Sequence, residues 1–150
     1  MPEPLTPDRF DQEIADSMCG NDAVRNGLPD YLGIRTTHVG PGTMTAELVA
    51  RPELLNPFGT LHGGVVSALV DHVLGAVLYP VIERGRWAAT TEYKLNLLAA
   101  VHTGRVRADS TIVALTRRTA VVQVEVHNDD TLCALAQGTV LIVDPRPSTA

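Results

Sequence analysis

Asn56-Pro57-Phe58-Gly59-Thr60-Leu61-His62-Gly63-Gly64-Val65-Val66-Ser67-Ala68-Leu69-Val70-Asp71 is the stretch that decides the fold, because it runs from a turn-forming loop straight into an apolar helix that carries an acid. From Val65 to Leu78 the chain reads V-V-S-A-L-V-D-H-V-L-G-A-V-L, apolar on nearly every face, which is the pattern of a helix set inside a core. The spacing predicts one long central helix over Leu61 to Ile82, about 33 Å at 1.5 Å per residue. Asp71 then needs a reason: a buried carboxylate without partners costs several kcal/mol, so it is either capped by hydrogen bonds or kept for chemistry. His62, Gly63 and Gly64 stand where the helix begins. Glycines there leave backbone N–H groups open to a carbonyl oxygen or an anion.

Outward from this helix the pattern turns to strands. Gly40-Pro41-Gly42 is a turn signal between two half-apolar runs and predicts a hairpin within Tyr31 to Ala50. Beyond Ile82, strands are expected at Ala88 to Leu98, Gly104 to Leu115, Thr119 to His127 and Leu132 to Val143. Val122, Val124 and Val126 share one face and Gln123, Glu125 and His127 the other, as an antiparallel sheet with one covered side requires. Toward the N-terminus, Thr6-Pro7-Asp8 reads as a helix start, with Phe10, Ile14 and Met18 as its apolar stripe and a stop near Gly20 or Gly27, Pro29 lying beyond. The order fits an α+β domain, an antiparallel sheet of five to six strands curled around one long helix. Residues 1–26 form an N-terminal helical segment, 27–144 the domain, and 145–150 a flexible tail.

Bulk properties exclude several functions. The 150 residues carry a net charge of −5 and 45% hydrophobic content, suited to one globular domain and unsuited to a nucleic-acid face. The densest positive spots are Arg84 with Arg86 and the pair Arg117-Arg118, which are either turn charges or contacts for phosphate groups. Two cysteines, Cys19 and Cys133, suit neither a disulfide framework nor a metal site, and they fit a reducing cytoplasm. The start, M-P-E-P-L-T-P-D-R-F, is acidic where a secretory signal would be basic and then apolar, and no stretch reads as a membrane span. His38, His72, His102 and His127 show no ligand spacing, so no metal is expected. Ser67 lacks the G-x-S-x-G surroundings of a nucleophile elbow.

The order Asn56, Gly59, His62-Gly63-Gly64, Asp71 resembles the hotdog-fold acyl-CoA thioesterases, and within them the PaaI-like subgroup. The similarity extends over Gly27 to Val143. It implies hydrolysis of an acyl-CoA thioester without a cofactor, in a homodimer with active sites at its interface, often paired further into a homotetramer. The roles it implies are Asp71 as general base or nucleophile, the Gly63 N–H as oxyanion donor, Asn56 positioning the carbonyl or the water, and Thr90 orienting the acid and the water. Thr91 would take that last place after a slip of one residue. His62 and Gly64 belong to the implied substrate-binding set, His62 in a structural role at the helix start. Phe58 joins them as bulk near the site, together with Leu61, Leu69, Leu97 and Leu98, and Arg117 and Arg118 as candidates for the coenzyme A phosphates. An aromatic or short- to medium-chain acyl group is expected.

Helix geometry adds an independent constraint. Gly63 and Asp71 are eight residues apart, about 12 Å along a straight helix, whereas a base and an oxyanion donor must each reach to about 3 Å of the reacting group. If they act together they come from different chains, with two central helices antiparallel about a two-fold axis. The alternatives from other classes are a non-catalytic acyl-CoA-binding or regulatory protein of the same fold, which has no need of Asp71, and a hydratase or dehydratase, whose His-Phe-Pro or His-plus-Asp signatures are missing here.

Overall fold

In a computed structural model, residues 7–20 and 26–144 are described. The elements are α1 (Gln12–Met18), α2 (Gly27–Leu32), β1 (Arg35–Gly40), β2 (Thr43–Ala50), a 3-10 turn (Pro52–Leu54), α3 (Gly63–Ala76), β3 (Trp87–Leu97), β4 (Gly104–Leu115), β5 (Thr119–Asn128) and β6 (Thr131–Val143). The six strands form one antiparallel sheet in the order β1-β2-β4-β5-β6-β3. This leaves β1 and β3 as its edges. The sheet curls over α3, which packs against five of the strands.

The strands follow from alternation. Val122, Val124 and Val126 point into the core with no exposed surface, while Gln123, Glu125 and His127 stand half-buried on the outer face. From the helix, Val66, Leu69, Val70, Val73 and Leu74 meet them together with Met44, Leu48, Val106 and Ile112. Each such side chain contributes about 1.5–3 kcal/mol on burial. Between β1 and β2, Pro41 sets its own backbone angle. Gly42, at φ 75°, then closes the turn.

Three expectations are corrected. The central helix is shorter than its apolar pattern suggests: it has 14 residues, beginning after His62 and ending at Ala76. That makes it about 21 Å long. Beyond it the chain tightens into i→i+3 turns, Leu78 N–H donating to the Gly75 carbonyl and Tyr79 N–H to that of Ala76, and Pro80 has no N–H with which to continue. Val77, Leu78, Val81 and Ile82 stay buried in this turn region, so the apolar run outlasts the helix. The N-terminal helix starts at Gln12, where the Asp11 carboxylate accepts from the Ile14 N–H at 3.2 Å. An aspartate in that place satisfies one of the free first-turn donors. Thr6 lies outside the described residues, as does the 145–150 tail. Arg84 holds Asp11 at 2.6 and 2.9 Å and keeps its carboxyl below the usual range. Finally, Tyr31 and Leu32 belong to α2 rather than to the hairpin. Pro29 sits in the first turn of that helix, where its missing N–H costs nothing.

Candidate active site

The loop before α3 is built around one amide. Asn56 Oδ1 accepts from the backbone N–H groups of Phe58 (2.9 Å) and Thr60 (3.2 Å), its Nδ2 donates to Thr60 Oγ1 at 2.7 Å, and its own N–H bonds the Thr60 carbonyl at 2.7 Å. Gly59, at φ 80°, makes the reversal that this closure needs. Only a residue without a Cβ adopts that conformation freely. Either side of the loop is then pinned, Leu61 N–H to the Val101 carbonyl and His62 N–H to that of Leu54. The start of α3 is therefore fixed from two directions.

At that start the two glycine amides differ. His62 caps the helix, its Nδ1 accepting from the Gly64 N–H at 2.9 Å. This places the imidazole proton on Nε2. The first-turn N–H of Gly63 has no intrahelical acceptor, and none meets it among the described residues. It borders a cavity of about 280 Å³ whose lining includes Asn56, Val66, Leu97, Leu98 and Cys133. Leu97 covers Gly63 so closely that a Cβ there would stand 3.0 Å from its Cδ1. The site as built by one chain is thus an unsatisfied donor over a cavity that Asn56 and Thr60 line together with Leu61, Val66, Leu97 and Val101.

Asp71 is not part of that pocket. It is exposed, not buried, because the sheet covers only one side of α3; the opposite stripe, Gly64, Ser67, Ala68, Asp71, His72, Gly75 and Ala76, is open or half-covered in the single chain. Along this stripe β3 runs antiparallel to the helix, with Leu97 beside Gly63, Tyr93 Oη 2.6 Å from Ser67 Oγ, and Thr90 Oγ1 3.9 Å from where a Cβ on Gly75 would stand. Thr90 therefore lies along the turn after Asp71. Thr91, at a β-bulge, spends its hydroxyl on the Thr139 carbonyl at 3.0 Å. Burial pushes the His72 imidazole below its usual pKa while Asp71 draws it back, so His72 is neutral at pH 7.

The remaining candidates are scattered. Phe58 is 90% exposed at the loop tip, whereas Leu69 is wholly buried in the core. Arg84 is committed to Asp11 and Glu13, and Arg86 to Asp144 and the carbonyls of Arg117 and Ile142, so both are structural. Arg117 and Arg118 form the β4–β5 turn, and the Arg118 carbonyl accepts from Ile142. Gly63 lies at the other end of β6, where Leu97 pairs with Ala134. Eight residues of strand, about 26 Å, separate the two ends. One chain thus unites Asn56, His62, Gly63 and Gly64, and leaves Asp71 about 12 Å farther along α3, Thr90 beside the turn after it, and the arginine pair at the far pole. Sequence reasoning missed the Ser67–Tyr93 contact; the alternation of β3, which turns Tyr93 toward the helix, was its available signal.

Residues 58–134 match the profile of the thioesterase superfamily, a span that runs from the asparagine loop through α3 to the start of β6. The chain belongs to that superfamily. Its fold is the hotdog fold, shared with a thioesterase from Haemophilus influenzae at a TM-score of 0.78 and 25% identity, covering 83% of this chain and 88% of that one. A phenylacetic acid degradation-related protein from Ralstonia eutropha superposes with a TM-score of 0.78 at 25% identity, over 85% of this chain and 98% of the other. In sequence the thioesterase is similar to a 1,4-dihydroxy-2-naphthoyl-CoA hydrolase of Listeria monocytogenes, 26% identical over 80% of this chain and 98% of the relative. Membership sets the reaction class as thioester hydrolysis. Among the described residues no helix is long and apolar enough to cross a membrane.

Proposed function

We propose that this thioesterase hydrolyses acyl-CoA esters with aromatic or short- to medium-chain acyl groups, at sites shared between two copies of the chain. The observation that carries the reading is the separation of the parts: an open Gly63 N–H over a cavity with a buried apolar inner wall, and an exposed Asp71 farther along the same helix. Eight residues of helix put about 12 Å between them. An antiparallel second chain closes that gap. β3 is an edge strand, and Trp87 and Leu97 at its two ends are each 58% exposed. A two-fold copy can therefore extend the sheet and cover the small-residue stripe of α3. If residue 63 meets residue 71 across the axis, residue 67 lies on it. Ser67 and Ala68 are small enough there for two helices to approach closely.

The same reversal carries the partner's Arg117 and Arg118 from the far pole toward the mouth of the Gly63 pocket, where the phosphates of coenzyme A would lie. The thioester oxygen accepts from the Gly63 N–H and gains charge there in the transition state. Asn56 holds the loop that aims this N–H, and its second Nδ2 hydrogen faces carbonyl or water. His62 keeps Gly64 occupied and the helix start rigid. Asp71 of the partner takes a proton from water, whose oxygen attacks the carbonyl carbon; the C–S bond breaks and the proton passes to the leaving thiolate. Direct attack by Asp71 through a mixed anhydride uses the same groups. Thr90, beside the turn after Asp71, orients acid and water.

Residues 27–144 carry this machinery, and the cytoplasm, where coenzyme A esters are made and used, is its compartment. Two such dimers pair into a tetramer. Following thiol release across a panel of acyl-CoA esters tests the reading, with mass measured in solution. Turnover of arylacetyl, aroyl or hexanoyl esters by a dimer or tetramer is the expected result. Absence of turnover with every ester, or full activity in a monomer, would falsify it.

A further inference from the structure

The cavity beside Gly63 has an inner wall and a mouth of different character. Val66, Val101 and Cys133 are 5%, 4% and 2% exposed and close its inner side, while Leu97 and Leu98, 58% and 54% exposed, flank its opening. Apart from the open Gly63 N–H, several polar groups of the lining are already bonded within the chain. Cys133 Sγ–H donates to the Val126 carbonyl at 3.3 Å, the N–H groups of Leu98 and Ala99 go to the Cys133 carbonyl, and the Val101 carbonyl accepts from Leu61. Asn56 and Thr60 bond each other at 2.7 Å. Against the inner wall of Val66, Val101 and Cys133 the amides of a pantetheine arm would find few partners, and an unpaired buried amide is costly, whereas an alkyl or aryl group gains by leaving water.

Resting on the acyl-CoA reading above, we infer that this cavity is the acyl pocket and that Val66, Val101 and Cys133 are its specificity-determining end wall, limiting the acyl group to an apolar unit of about nine non-hydrogen atoms. The limit comes from volume. The cavity holds about 280 Å³. Each atom-sized group takes roughly 30 Å³. Phenylacetyl and octanoyl groups fill it. Dodecanoyl and two-ring aryl groups exceed it, and ring hydroxyls directed at the end wall lack partners. The inner end is closed by buried side chains of one chain, so the limit on length is set there.

Two substitutions act on the wall in opposite senses. Val66→Ala removes two methyl groups from it and should raise the ratio of kcat/KM for dodecanoyl-CoA over octanoyl-CoA about tenfold. Cys133→Leu intrudes and should lower phenylacetyl- and octanoyl-CoA hydrolysis at least about tenfold relative to butanoyl-CoA. The same esters are titrated calorimetrically into Asp71→Asn protein carrying each wall substitution, which reads the pocket without turnover. Shifts in Kd ratio matching those in kcat/KM support the assignment. Unchanged ratios in Val66→Ala, by both kinetics and binding, overturn it. Should the wild-type chain hydrolyse no ester, the catalytic reading fails while the binding ratios still decide the pocket.

Discussion

At the scale of single residues, the decisive contrast is between the Gly63 and Gly64 amides, because His62 occupies the Gly64 N–H while the Gly63 N–H stays open beside the cavity. The local places of Asn56, His62 and Gly63 in the loop and helix start were legible from the residue types together with the resemblance, since a turn-forming amide, a capping side chain and a helix-start glycine each do one local job. Asp71 was legible as the odd acid and misread as buried. Ser67, Ala68, Gly75 and Ala76 count as apolar or neutral in a periodicity, yet they lie on a face of α3 that the sheet leaves partly uncovered. Asp71→Asn keeps the size and removes the base, so kcat should fall by about 10²- to 10⁴-fold. At an exposed position the fold should be unaffected, with stability within about 0.5 kcal/mol of wild type. Steady-state kinetics beside a urea melt reads both, and near-normal turnover would remove Asp71 from the mechanism. His72 gives a pH signature. Its folded pKa lies below the usual 6.5 because burial disfavours the imidazolium, so the unfolded chain binds the proton first. Stability is therefore complete above about pH 6.5 and is lost as pH falls through the folded value. The urea midpoint should drop between about pH 7 and pH 5 in the wild type, and less steeply in His72→Gln.

Among the elements, strand positions were readable to within a residue or so because alternation and turn residues are local. Gly104–Leu115 and the valines of β5 show this. Helix ends were not. The apolar run through Val77, Leu78, Val81 and Ile82 stays in the core as tight turns, and burial alone cannot distinguish a turn from a helix; Pro80 was the signal that should have ended it sooner. α2 escaped notice since six residues hold too little periodicity to count, and Pro29 reads equally as a helix stop or as a first-turn residue. The close pairing of β3 with β6 depends on an absence of side chain at Gly138, where a Cβ would stand 2.6 Å from Tyr93 Cβ and 2.7 Å from the Glu92 carbonyl oxygen. That oxygen belongs to the strand ladder and cannot swing aside like a side-chain end. Gly138→Ala should destabilise the fold by about 1–3 kcal/mol. It should also loosen the Tyr93–Ser67 hydrogen bond, seen as faster hydrogen exchange in β3 than in β4. An unchanged urea midpoint would show that β3 relocates freely.

For the whole molecule, the shared site is proposed because Gly63 borders a pocket on its own chain while Asp71 stands on the uncovered stripe of α3, so that one chain cannot bring both to a single carbonyl if the two act together. Two inactive variants test whether a second chain resolves this. Asn56→Ala removes the amide that closes the loop around Phe58 and Thr60, so its lesion travels with the Gly63 half of a site. Asp71→Ala carries its lesion in the other half. In a mixed dimer built across a two-fold axis, one site takes both lesions and its neighbour takes neither. Random association makes about half of the dimers mixed, and each of these has one whole site of two, so co-refolding the variants should restore about a quarter of wild-type activity. Each variant refolded alone should stay nearly inactive. If every catalytic group came from one chain, each site in the mixture would hold one lesion and activity would not return. Native mass spectrometry of the mixture, showing heterodimers at the expected share, makes a negative result decisive against the shared site.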